Sequence, residues 1–397
     1  MKILVISAAF PPMKVGEAEH ALHLCHRLNQ RGFDVHVLTT KRETTTDAPF
    51  KVHAIMPHWL WRDLPRLASF LRHCSPDAVL LIYSDRDYNC HPMITYAPSI
   101  SKALLPSVPF VTQFETEHVS RQVSIPARAI LKLLSRSAAR WIDYLFGTLL
   151  SQSERIIVLS DRHLAEFASR FHNIEKKAVV IPPPPLLRIS PGDAASKQRV
   201  RGMLGVKPDE FVIAHYGYVY AEKGIETLFK AFEILNAQRS NIRLWMVGGT
   251  RGVDHNSSYV DGIHQLARSL GIHTKVNWTG EYSSDNDEAS LYLRSADACV
   301  FPFKYGVTLN RSSLAAAAAH GLPIVTTKGK VLEAPFLDEQ NMLLCPPDDP
   351  TSLALTMASL MDNPALCQRL RMGAFKLANE YFSWDRALDR TIEALGQ

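Results

Sequence analysis

The chain has 397 residues, 46% hydrophobic and 21% charged, with a formal net charge of +5. At roughly 150 residues per domain this is two or three domains with large cores, which excludes a disordered chain and a small cross-linked fold. The positive charge is modest and spread out, and no nucleic-acid motif accompanies it, so no DNA or RNA partner is expected.

The start, MKILVISAAF, is a strand-like run reaching Pro11 and Pro12 with no longer apolar region and no small-residue cleavage site, so a signal peptide is not expected. No later stretch reaches the roughly 18 apolar residues of a membrane-spanning helix, so a soluble or surface-resting protein is expected. The cysteines, at 25, 74, 90, 299, 345 and 367, form no CxxC pair, which points to a reducing compartment without a disulfide framework or metal site.

Residues 2–7 read as a strand, 8–15 as a Pro-rich loop, and 16–31 as a helix with Ala18, Ala21, Leu22, Cys25 and Leu28 on one face, stopped by Gly32. A strand at 34–39 completes a βαβ unit, the opening of a parallel, doubly wound sheet. Further strands are predicted at 78–83, 110–113, 155–159 and 178–181. Four prolines, Pro182 to Pro185, can continue neither sheet nor helix and read as a stiff, hinge-like connector. The second half repeats the alternation, with strands at 211–216, 243–247, 276–278, 298–301, 324–326 and 342–344. Helices are predicted at 225–238, 259–270, 285–295, 312–320 and 351–361. Two similar α/β domains joined in this way imply a cleft, faced by the loops 8–16 and 216–224 at the carboxyl ends of their strands.

The most informative segment is FVIAHYGYVYAEKG at 211–224, a buried strand running into a loop and then a helix. Gly217 permits a tight turn, Lys223 supplies a mobile cation, and Gly224 lets N–H groups at the helix start approach a ligand, a combination that favours phosphate. The spacing is neither GxGxxG nor a P-loop, and the same residues equally describe a strand-to-helix loop that binds nothing.

Taken together, the motifs resemble those of family 4 glycosyltransferases with the GT-B fold, over nearly the whole chain. AFPPMKVG at 9–16 is similar to the family's PP-x-x-GG loop, and YGYVYAEKG to its G-x-x-x-x-x-KG segment. HGLPIVTT at 320–327, Glu333 and NMLLCPPDD at 341–349 resemble its A-x-G-x-P-V-V…E…G-x-L-x-x-x-x-D run. RIIVLSDRH at 155–163 looks like the strand-and-serine element before the connector, and YFSWDRALDR like a final helix that crosses back. The resemblance implies two doubly wound parallel-sheet domains facing a cleft. The first, acceptor-side domain would span 1–185 with helix 378–397 crossing back onto it, followed by a linker at 186–198 and a nucleotide-sugar domain at 199–377.

It also implies retaining transfer of a hexose-type sugar from a nucleotide sugar, UDP favoured, with no metal and no cofactor beyond that co-substrate. A metal-free site must hold the leaving diphosphate with cations and backbone donors. Lys223 is one such cation. TLNRSS at 308–313 offers another in Arg311, with Ser312 or Ser313 capping a helix whose N–H groups can hold phosphate; the alternative is an ordinary cap beside a solvated arginine. On the donor side the resemblance places Gly16, Gly217, Tyr218, Lys223, Gly248, Trp278, Thr308, Leu309, Asn310, Arg311, Ser312, Ser313 and Glu333. VGGT at 247–250 and NWTGEY at 277–282 match segments that line the nucleobase pocket, where Trp278 either stacks on the base or packs in the core.

The chain departs from the family at three places. The paired glutamates before the A-x-G-x-P element are Thr308 and Ala316 here, although GVTLNRSS is similar to a branch carrying G-V-S-L-R-R. The arginine often found after the strand glycine is Tyr218. The histidine of the first domain's T-x-H-D setting is Phe114, within VTQFETEH, followed by Glu115, Glu117 and His118. Glu115 is expected to serve catalytically with Lys223 and Arg311, as a carboxylate of moderately raised pKa able to accept a proton. Asp85, Arg86, Phe114, Glu117 and His118 are expected at the acceptor. Asp85, Arg86 and Asp87 read either as acceptor contacts or as caps of the next helix.

Between 121 and 141, Arg121, Arg128, Lys132, Arg136 and Arg140 alternate with Ile130, Leu131, Leu134 and Trp141. This is a basic amphipathic helix suited to anionic lipid, or a solvated domain face. A glycan or lipid-linked acceptor, and a cytoplasmic protein peripheral to the inner face of the membrane, are the corresponding expectations, with exopolysaccharide or cell-envelope glycan synthesis as the setting. Two other classes stay open: a non-catalytic nucleotide- or glycan-binding subunit, and a sugar-nucleotide epimerase.

Overall fold

Short runs of aliphatic residues buried on both faces form two all-parallel sheets in the computed structural model, which describes residues 1–42, 47–116, 143, 145–190, 194–249, 257–282 and 287–396. The first sheet contains β1 (Lys2–Ile6), β2 (Asp34–Thr40), β3 (Lys51–Met56), β4 (Ala78–Tyr83), β5 (Phe110–Phe114), β6 (Arg155–Val158) and β7 (Ala178–Val180), in the order β3-β2-β1-β4-β5-β6-β7. The second contains β8 (Phe211–Tyr216), β9 (Ile242–Val247), β10 (Val276–Trp278), β11 (Ala298–Phe301), β12 (Ile324–Thr327) and β13 (Leu343–Cys345), in the order β10-β9-β8-β11-β12-β13. Strand order therefore reverses between β1 and β4 in one sheet and between β8 and β11 in the other. Such switch points open a crevice at the carboxyl ends of the strands.

The sequence reading missed β3. Its residues KVHAIM are mostly half-exposed because the strand lies at the sheet edge, so no apolar run marks it. The segment expected as a linker, 186–198, leads into the helix Ala194–Met203. Lys197 and Arg201 fasten that helix to Asp297 at 2.8 Å each.

The chain divides into two compact units, residues 1–182 with 385–397, and residues 183–384. Within the first unit the final helix, Trp384–Ala394, is tied down by Arg390, whose guanidinium donates to the Val180 carbonyl at 2.7 Å. An aromatic cluster fills the core at the carboxyl end of this sheet, with Phe114 against Phe167 at 4.6 Å and Phe146 at 5.6 Å. In the second unit both faces of the sheet are covered. Ala214, Tyr216 and Phe301 pack toward the alanine-rich helix Ser312–Ala319, while Ile213 and Met246 pack toward the helix Ile225–Gln238. At roughly 1.5–3 kcal/mol for each large aliphatic side chain removed from water, these layers supply the main driving force for both folds. Among the described residues no helix is long and apolar enough to cross a membrane.

Candidate functional site

The crevice of the second unit is built by the loops leaving β8, β9 and β11. Gly217 turns at φ +121°, and its N–H donates to the Val247 carbonyl at 2.9 Å, which brings the β8 and β9 loops together. Gly248, at φ +129°, lies so near that a Cβ there would sit 2.6 Å from the Gly217 carbonyl oxygen. Gly224 adopts φ +70° and a Cβ would fall 2.0 Å from the Pro302 oxygen, so glycine is needed for backbone packing against the β11 loop.

This framework buries Lys223. Its ammonium donates to Ser313 Oγ at 3.5 Å and lies over the rings of Tyr220 and Phe303 at 5.4 and 5.1 Å. The Arg311 guanidinium lies 4.7 Å over the same Phe303 ring, and its buried Nε makes no hydrogen bond among the described residues. The imidazole of His215 is also buried, donating from Nδ1 to the Val300 carbonyl at 2.8 Å. Burial, then the neighbouring charge of Lys223, pushes it down to about 3, so it is neutral at neutral pH.

Ser312 and Ser313 do not cap the following helix. They are its first two residues, Arg311 occupies the N-cap position, and no side chain caps the helix start. The backbone geometry that favours anions is therefore present without the serine cap. The loop ahead is braced by its own side chains. Thr308 Oγ1 donates to Asn310 Oδ1, and the Leu309 N–H donates to the buried Glu333 carboxylate. Ala316, on the helix, is fully buried.

Trp278 packs against His264 at 4.3 Å and Phe229 at 6.0 Å, the core placement weighed above. Tyr218 is half-buried in the β8 loop. At the opposite, amino end of the strands, a cavity of about 460 Å³ is lined by Lys197, Arg201, Glu210 and Asp297. Asp297 accepts from Lys197, Arg201 and the Val212 N–H, so charge there is compensated within the fold.

In the first unit the switch-point loops carry different chemistry. Tyr88 Oη donates to the Ile82 carbonyl at 2.8 Å and accepts from the Ala8 N–H at 3.3 Å, joining the ends of β4 and β1. Asp85 is buried and Arg86 exposed in the turn after β4. Neither caps the next helical turn, because His91 does so by accepting from the Met93 N–H. Gly16 is the first residue of the helix Gly16–Gln30, with open space where a Cβ would point.

Strand alternation separates Phe114 from its neighbours. Its ring is fully buried in the aromatic core, which corrects the expectation of an acceptor contact there. Gln113 and Glu115 point the other way and meet His20 on the helix Gly16–Gln30. His20 Nδ1 lies 3.1 Å from Glu115 Oε1, and Gln113 Nε2 donates to the same oxygen at 2.7 Å. Burial alone would raise the Glu115 carboxyl. The charge and hydrogen bond of His20, the Gln113 amide and the charge of His163 outweigh that, and hold it below the usual carboxylate range. The expected raised pKa is therefore replaced by a depressed one, because His20, 95 positions away in the chain, faces the carboxylate.

Glu117, His118, Thr250 and the basic stretch 121–141 lie outside the described residues. Among the described residues no group of three or more His, Cys, Asp or Glu side chains could hold a metal ion. Sequence reasoning missed His20, Gln113, His215, Tyr220 and Phe303. The available signals were the position of His20 on the buried face of its helix and the alternation within VTQFE.

Residues 16–184 match the family model described as Glycosyltransferase Family 4, and residues 196–377 the one described as Glycosyl transferases group 1. The chain thus carries two glycosyltransferase domains. A D-inositol 3-phosphate glycosyltransferase of Kineococcus radiotolerans is 28% identical over 257 residues, 61% of this chain and 56% of that protein, so the match spans little more than half of the relative. An uncharacterized glycosyltransferase of Methanocaldococcus jannaschii is 25% identical across 99% of this chain and 97% of its own length. Among solved structures, Anabaena Alr3699/HepE in complex with UDP and glucose aligns with a TM-score of 0.74 at 16% identity, covering 100% of this chain and 99% of that one. Sucrose-phosphate synthase from Thermosynechococcus elongatus aligns at 0.73 and 18% identity, covering 99% and 98%. The fold class is GT-B, as the motifs led us to expect.

Proposed function

We propose that this chain, built from two glycosyltransferase domains, moves a hexose-type sugar from a UDP-sugar to a glycan or lipid-linked acceptor, with retention and without a metal. The observation that carries the reading is the convergence of Lys223 and Arg311 on one aromatic ring, beside a helix start that no side chain caps. Cations and backbone donors of this kind stabilise a leaving diphosphate. The UDP bound by the Anabaena protein of like fold supports uracil as the donor's base.

In the proposed reaction the bond from the sugar's anomeric carbon to the β-phosphate oxygen breaks. The acceptor oxygen bonds to that carbon on the same face, and its proton passes to the departing phosphate, giving UDP. Lys223 and Arg311 take up the charge that develops on the diphosphate. Glu115, held ionised, orients His20 in the first unit, and we assign this pair to the acceptor hydroxyl as a positioning group. Trapping of a glycosylated protein intermediate would contradict the mechanism. Work in cell-envelope or exopolysaccharide synthesis, at the cytoplasmic face of a membrane, fits such an acceptor.

Binding decides the reading. In thermal-shift measurements with UDP-, GDP- and ADP-sugars, a true donor at 100 times its Kd stabilises by about 2.7 kcal/mol. We expect one nucleotide sugar to do so with the native protein, and both Lys223→Ala and Arg311→Ala to lose the effect. Absence of any shift would favour the second reading, a non-catalytic subunit. That reading draws on the lack of carboxylates at positions 308 and 316 and on the burial of Ala316.

A further inference from the structure

Phe303 carries no charge and no side-chain hydrogen bond, yet it is the common neighbour of two cations that come from different loops. Lys223 belongs to the loop after β8, and Arg311 precedes the helix Ser312–Ala319. The Phe303 ring meets the first at 5.1 Å and the second at 4.7 Å, both within the range of a cation–π contact.

The ring itself is held firmly. Phe303 is 1% exposed, its N–H donates to the Phe301 carbonyl at 2.9 Å, and its carbonyl accepts from Thr327 Oγ1. The Phe301 ring is stacked on it at 5.6 Å with the planes 7° apart. Two like charges brought together in a poorly solvated crevice repel each other. An aromatic ring offsets part of that cost through its negative faces, and its few torsions fix where each cation can settle. A leucine would fill much of the volume without either property.

Resting on the donor-site reading above, we propose that Phe303 is a positioning residue for the donor's diphosphate. Its ring holds Lys223 and Arg311 in place before the nucleotide arrives, so that the anion meets two cations already set rather than two mobile ones.

The test replaces Phe303 with mono-, di- and trifluorophenylalanine, which keep the shape of the ring while draining its negative face, and includes Phe303→Leu. Titration calorimetry with UDP and with inorganic pyrophosphate is the readout, alongside urea unfolding. We expect affinity for both ligands to fall stepwise with fluorination, reaching about tenfold at the trifluoro ring, while the unfolding midpoint shifts down only slightly and the fold is kept. Phe303→Leu should lose at least as much; should it fail to fold, the fluorinated series still decides. If native protein binds UDP and the fluorinated proteins bind it equally well, Phe303 only fills space and the proposal is overturned. If native protein binds no nucleoside diphosphate, the donor-site reading falls first and this inference with it.

Discussion

The two switch-point crevices have the same architecture and opposite chemistry. In the second unit, Lys223 and Arg311 rest on Phe303 beside a helix start with no side-chain cap. In the first, a carboxylate and an imidazole hold each other, with an amide on the same oxygen. A doubly wound sheet provides the crevice and leaves the loops to decide what it can bind. The contrast teaches that one scaffold used twice can carry different chemistry, paired cations in one unit and a carboxylate–imidazole pair in the other, and under the proposed function this is a division of labour.

Glycine gives the sharpest way to break the comparison. Gly224→Ala places a Cβ 2.0 Å from the Pro302 oxygen at φ +70°. Backbone strain of about 1–2 kcal/mol together with overpacking of about 1–3 predicts a loss of about 2–5 kcal/mol in urea unfolding. Gly16→Ala, with open space at its Cβ and a helical backbone, should stay within about 0.5 kcal/mol of native. Equal effects from the two would mean that the tight packing of the second crevice is not what distinguishes it.

Charge removal comes next in size. Lys223→Ala and Arg311→Ala should each cost about 2–3 kcal/mol of UDP binding in calorimetry, as lost charged hydrogen bonds do. Glu115→Gln should leave UDP affinity unchanged and lower kcat/KM for the acceptor about tenfold or more. A matching loss of UDP affinity in that variant would remove the division of labour.

Glu115→Gln should also cost about 1–2 kcal/mol of stability at neutral pH, because it leaves His20 without its carboxylate. Since the carboxyl is depressed in the folded chain, its contribution is complete above the ordinary value of 4.5 and disappears as pH falls through the folded value. The native and variant stability curves should therefore converge in acid.

The smallest effect per step belongs to His215 in the other crevice. Its pKa falls from 6.5 to about 3 on folding, so the unfolded chain binds the proton first. Stability should be full above pH 6.5 and decline by on the order of 1 kcal/mol per pH unit down toward pH 3. His215→Gln should remove that component of the acid slope, as read from unfolding at a series of pH values.

Much of the fold was legible, because buried parallel strands announce themselves as apolar runs. β1, β4, β8 and β11 were read within a residue or so at each end, while the strand order that makes them neighbours came only with the structure. The strand β3 was not, since an edge strand need not be apolar. The candidate site was legible only where a single loop carries the signal, as for Lys223 and Arg311. The partnership of His20 with Glu115 spans 95 positions and that of Lys223 with Ser313 spans 90, and no local pattern reports such distances.

By itself the sequence determined the α/β alternation, the glycine-bearing loop that ends in Lys223, and the order of motifs that marks two glycosyltransferase domains. Periodicity and turn chemistry are local properties, written within a few residues of where they act. Tertiary structure alone decided that Phe114 turns into the core while Gln113 and Glu115 meet a histidine, that Arg311 rather than a serine takes the N-cap position of its helix, and that Phe303 stands between two cations. Those outcomes depend on which strands become neighbours and on which face each side chain finally takes.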